Sequence, residues 1–163
     1  MNRIICLLIY AVLFFTSNTS AQEKCDVTKL SLNEKEKLKK FWIDLRMAVN
    51  DKNNICLSSL CHFPFGCSFC VSDTSNKPYL IITKNTFAKY KNNLFYNENF
   101  IEVLNKSDIL QILYSDIQEN GLCVLSFSFP IFKPSSGREG LQGFFSIRKV
   151  NGIYKIVSAW SVP

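Results

Sequence analysis

Histidine is nearly missing from this chain: His62 is the only one in 163 residues. With one histidine and no Gly-x-Ser-x-Gly, triad hydrolases and multi-histidine metal sites are set aside. No P-loop, Gly-x-Gly-x-x-Gly or His-Glu-x-x-His occurs either, so the phosphate-cradling, dinucleotide-binding and zinc-protease signatures are absent. Glycine and proline are sparse, at six and five. No internal repeat, low-complexity tract or Gly/Pro-rich linker divides the chain, and "KPSSGREG" reads as a hairpin connection. Beyond the N-terminus, no stretch approaches the ~20 apolar residues that a membrane-spanning helix needs.

What is present starts with "MNRIICLLIYAVLFFTSNTSAQ". Arg3 precedes an apolar run of twelve, Ile4 to Phe15, and small residues follow, with Thr19 and Ala21 placed for cleavage. This pattern predicts a secretory signal peptide over residues 1–21 and a single domain over 22–163, exported to a periplasm or secreted. Removal of those 21 residues takes Arg3 and Cys6 with it, leaving 142 residues with six cysteines and 18 basic against 13 acidic groups. That length suffices for a hydrophobic core. The densest charge cluster, "EKEKLKK", alternates in sign, as a solvated helix face does, so neither a nucleic-acid partner nor a membrane partner after cleavage is expected.

Four cysteines crowd one region: Cys56, Cys61, Cys67 and Cys70, the last three inside "CHFPFGCSFC" with His62. Structural zinc sites pair two short Cys-x2-4-Cys knuckles, and here only Cys67 and Cys70 have that spacing, so no metal is expected. A thioredoxin-like centre needs a helix starting at its first cysteine, whereas "VSDTSNKP" after Cys70 is a polar turn. In an oxidising compartment the default is disulfides. Cys67 and Cys70 are expected to close a small ring between two strands, with Cys25, Cys56, Cys61 and Cys123 forming two further bridges or remaining as free buried thiols.

Hydrophobic spacing sets the element order. Ser31 and Glu34 form a capping-box pattern, and Leu38, Phe41, Trp42, Leu45, Ala48 and Val49 make one apolar stripe of a long helix. "ICLSSL" reads as a second, short helix that ends near "CHFPF", where Pro64 cannot continue it. "KPYLIIT" reads as a short strand, "KNTFAKYKNNLF" and "NENFIEVLN" as helices, and "DILQILYSDI" as a strand. Three long strands close the chain, the last two joined at Asn151-Gly152 by a two-residue turn. Helices followed by a meander predict an α+β fold: a curved antiparallel sheet with the N-terminal helices packed on its concave face.

The stretches "LKKFWIDLRMAVNDKNNICLSSLCHFPF" and "GLQGFFSIRKVNGIYKIVSAW" resemble the nuclear transport factor 2-like superfamily, the cone fold that also holds the ketosteroid isomerases and polyketide cyclase-like proteins. Within it, the "FW…AV…DK", "FPF" and "LQGFFSI…KIVSAW" segments are similar to those of small exported bacterial members. The resemblance implies the cone and leaves activity open, because this fold carries isomerases, dehydratases, cyclases and binding modules. The family's enzymes place a carboxylate base inside the cone. Candidates here are Asp44, at the edge of the apolar stripe, and His62, at the start of a strand. Phe41, Leu45, Tyr114 and Trp160 are expected to line the cavity. The carboxylate-plus-tyrosine pattern of the steroid isomerases is not met in matching positions. The main expectation is therefore an exported binding domain without cofactor or catalysis, taking an apolar small ligand or a protein partner in the cone. The alternatives are a lyase- or isomerase-like enzyme using Asp44 or His62, and a homodimerisation module using the sheet face, since apolar residues fall on both sides of the strands.

Overall fold

The computed structural model describes residues 26–71, 77–117, 123–136 and 139–163; the segment read as a signal peptide, and Cys25, lie outside them. After a 3-10 turn at Val27–Lys29 come helices α1 (Leu32–Asn50) and α2 (Asn54–Ser59) and strands β1 (Cys61–Cys67) and β2 (Leu80–Ile82). Helices α3 (Phe87–Phe95), α4 (Glu98–Lys106) and α5 (Ile109–Ile112) precede strands β3 (Tyr114–Ile117), β4 (Cys123–Phe132), β5 (Leu141–Val150) and β6 (Ile153–Val162). The strands form one curved, unclosed sheet in the order β2-β1-β6-β5-β4-β3, with helices packed on it: an α+β fold. The sheet is antiparallel except where β1 runs parallel to β6. None of the described helices is long and apolar enough to cross a membrane.

Local chemistry fixes the long helix. The Ser31 hydroxyl accepts the Glu34 backbone N–H at 3.3 Å, capping α1, and its stripe of Leu38, Phe41, Trp42, Leu45, Ala48 and Val49 is buried. Only half of the capping box forms, because the Glu34 carboxylate turns to other partners described below. Lys52 takes a positive φ of 52° and ends the helix region, and Asn53 caps α2 by accepting the Cys56 N–H at 3.1 Å. Helix α2 stops at Ser59, just before "CHFPF", where β1 begins at Cys61. The segment "DILQILYSDI" is only half strand: the Asp108 carboxylate accepts the Leu110 N–H and starts the single-turn helix α5 before β3.

Phenylalanine fills the space between sheet and helices. Phe95, Phe100, Phe127, Phe129 and Phe145 are all fully buried and pack ring against ring, Phe95 stacking on Phe145 at 5.4 Å between centroids. Helix α1 is tied across to α4 by polar contacts as well: Trp42 Nε1 donates to the Ser107 carbonyl at 3.0 Å and Arg46 Nε to the Leu104 carbonyl at 2.8 Å. The β5–β6 turn has Asn151 at φ 52° and Gly152 at φ 80°, the left-handed pair that a two-residue hairpin demands.

The cysteines divide. Cys67 and Cys70 form a disulfide, and Cys123 is also disulfide-bonded. Cys56 and Cys61 are free thiols, the first exposed and the second buried. Burial pushes the Cys61 thiol up to about 12.

Candidate functional site

Phe41 and Leu45 are core residues, 4% and 0% exposed. Tyr114 and Trp160 are on the other face of the sheet. In register, Ser126 pairs with Tyr114 and with Ser146, and Phe144 pairs with Trp160. Alternation turns this set away from Phe127 and Phe145, which face the helices. Phe41 and Leu45 therefore lie in the core between helices and sheet, and Tyr114 and Trp160 on the open side.

On that open face the aromatic rings form a cluster of their own. Phe144 and Trp160 stack at 4.0 Å, Tyr114 meets Phe144 edge-on at 6.3 Å, and beneath them Ser126 and Ser146 are buried. The two serine hydroxyls are 3.0 Å apart, and Trp160 Nε1 donates to Ser146 Oγ at 3.1 Å. Ser126, Ser146 and the Trp160 indole N–H thereby find partners in one another, and the Trp160 ring is held in place.

Open grooves lie where α1 meets the β5–β6 hairpin. One, of about 250 Å³, is walled by Phe41, Leu60, Ile153 and the Tyr154 ring, with Lys37, Lys40 and Asp44 at its rim and Gly152 at one end. A larger cleft of about 390 Å³ shares Tyr154 and extends past Glu34 to Asp26 and Cys123, at the edge of the described chain. Between the two, Glu34 organises a polar clasp. Its carboxylate receives Lys149 Nζ at 2.6 Å, the Tyr154 hydroxyl at 3.0 Å and Lys37 Nζ at 3.3 Å. The Lys149 contact above all, helped by Tyr154 and Lys37 against the cost of burial, holds the Glu34 carboxyl below its usual range. Burial first, and the adjacent Glu34 second, push the Tyr154 phenol upward.

Of the two candidate bases, Asp44 reaches this groove, but as an exposed rim residue whose carboxylate accepts Lys40 Nζ at 3.1 Å. His62 follows buried Cys61 on β1 and alternates with Phe63 and Phe65, which pack on the helix side. No hydrogen bond or ion pair joins Asp44 to His62. Among the described residues, no group of three or more His, Cys, Asp or Glu is arranged to hold a metal ion. Sequence reasoning missed the Glu34, Lys149 and Tyr154 clasp. Its signal was the Asn151-Gly152 turn, which places Lys149 opposite Tyr154 on adjacent strands.

No family model matches the chain, and no curated protein matches it. Among solved structures, a designed NTF2-like protein titled Rd1NTF2_05, with five substitutions, overlaps 79% of this chain and 99% of its own. Identity over the overlap is 15%, with a TM-score of 0.41. The fold assignment stands on the strand order and on the helices covering one face.

Proposed function

We propose that the chain is an exported, non-catalytic binding domain of the cone kind, which takes a small apolar ligand in the groove between α1 and the β5–β6 hairpin. The observation that carries this reading is the pairing of a phenylalanine-filled interior with an apolar groove just outside it, walled by Phe41, Leu60 and Ile153. Binding is thereby moved from the cone interior to its rim. The exposed, ion-paired state of Asp44 supports the absence of catalysis. The uncharged fluorophore phenylnaphthylamine is expected to bind the exported protein saturably. Ile153→Asp, at an exposed wall position, should weaken it about tenfold, the equivalent of ~1.4 kcal/mol. No saturable binding, or equal binding by the variant, would overturn the reading.

The open face favours a second reading, a homodimer through the sheet, because Tyr114, Phe144 and Trp160 form a cohesive apolar patch over satisfied serines. Sedimentation at micromolar concentration should then give twice the chain mass, and Phe144→Glu should restore the monomer. A monomeric mass for the unmodified protein would sink this reading.

A further inference from the structure

The charges around the α1 groove are not symmetric. Its rim holds two ammonium groups, Lys37 and Lys40, against one carboxylate, Asp44. From this imbalance we propose that the groove selects an anionic amphiphile. Its apolar body lies against Phe41, Leu60, Ile153 and Tyr154, and its carboxylate or sulfonate is received by Lys37 and Lys40. The inference rests on the groove being the ligand site.

Exchange of partners at the rim is cheap. The Lys40–Asp44 pair is exposed, with Lys40 77% accessible, and such surface pairs are worth only ~0–1 kcal/mol. Lys37 is easier still to redirect, because Glu34 keeps Lys149 and the Tyr154 hydroxyl when Lys37 leaves it. Lys37 is thus the primary headgroup contact and Lys40 the second. A cationic ligand would meet both lysines at the rim, where the one lining carboxylate, Asp44, is already committed to Lys40. The excess of basic groups in the exported chain, 18 against 13 acidic, also draws anions toward the protein.

Size narrows the ligand class further. At about 250 Å³ the groove is below the roughly 300–1,000 Å³ of pockets that enclose drug-sized ligands. That size matches the apolar body of a short amphiphile. Gly152 leaves one end open: nothing lies within 4 Å of the position a Cβ would take there. A longer tail can therefore run out past the hairpin without displacing protein atoms.

The test compares two fluorophores with the same aromatic body, anilinonaphthalene sulfonate and uncharged phenylnaphthylamine, on the folded exported protein at low salt. The sulfonate should bind about tenfold more tightly than the neutral probe, a gap of ~1.4 kcal/mol. Lys37→Gln with Lys40→Gln should close that gap, while Lys37→Arg with Lys40→Arg should keep it. Added salt should weaken the sulfonate alone. If both probes bind and Ile153→Asp weakens both, but the glutamine pair leaves the sulfonate's advantage intact, the groove reading holds and the anion inference falls. If neither probe binds saturably, the groove reading itself fails and takes the inference with it.

Discussion

Phe145→Ala is expected to cost about 3–5 kcal/mol of folding stability, the range for removing a large aromatic from a packed core. The ring has no exposure and is the hub of the interior. It stacks on Phe95 of α3 at 5.4 Å and on Phe129 of β4 at 5.5 Å, and meets Phe100 of α4 at 5.3 Å and Phe127 of β4 at 5.7 Å. Truncation leaves a cavity bounded by rings belonging to three other elements, and rings of that size cannot collapse into it without leaving their rotamers. A typical domain is stable by only 5–15 kcal/mol, so the variant should unfold at a much lower urea concentration than the parent. The neighbour supplies the control. Phe144 is half-buried on the opposite face, stacked on Trp160 at 4.0 Å and met edge-on by Tyr114 at 6.3 Å, and Phe144→Ala should cost about 1 kcal/mol, the scale of an aromatic pair. Equal losses at the two positions, measured by urea unfolding, would mean that β5 does not present these faces.

Those two adjacent residues also show where a sequence stops being readable. The long helix was legible because Ser31 is a physically definite start and its apolar stripe recurs at a spacing that no strand satisfies. The last hairpin was legible because Asn151-Gly152 accepts positive φ at both turn positions. The faces of the strands were not. "GFFSI" puts phenylalanine on both sides, so the period of two has no apolar phase to lock onto. Strand β6 adds a second obstacle. Ser146 pairs with Ser158 while Ile147 pairs with Ile156, which leaves Val157 as an extra residue. That insertion reverses the phase and turns Trp160 to the open face, though it reads as a cavity residue when counted from Ile156. The apolar residues before Tyr114 belong to the one-turn helix α5, so β3 begins later than the hydrophobicity of "DILQILYSDI" suggests. The clasp was hidden differently. Glu34 sits in a run of alternating charges that, taken alone, is a solvated face, and only the tertiary approach of the hairpin turns it inward.

That clasp makes the other large prediction. Glu34→Gln should lower stability by about 1.5–3 kcal/mol at neutral pH, the worth of hydrogen bonds to a charged group. The carboxylate is the shared acceptor for Lys149, Tyr154 and Lys37, and it joins α1 to the β5–β6 hairpin in a partly buried site. The dependence on pH separates this from a loss of packing. The folded protein holds the Glu34 carboxyl below its ordinary value of 4.5, so the stabilisation is fully present above that value and is lost as pH falls through the lower, folded one. Glutamine cannot titrate. The gap between parent and variant in urea unfolding should therefore be widest near neutrality and close as the solution is acidified below the ordinary value. Asp26 and Glu102, also held below their usual range, respond to acid in both proteins and cancel in the difference. A gap that stays constant from neutral to strongly acidic solution would show that the three donors do not hold the carboxylate in its charged form. Tyr154→Phe should cost less, about 0.5–1.5 kcal/mol, because Lys149 and Lys37 still satisfy Glu34. It should nonetheless loosen the groove, since the Tyr154 ring is one of its walls and the hydroxyl's bond to Glu34 is what fixes that ring against α1.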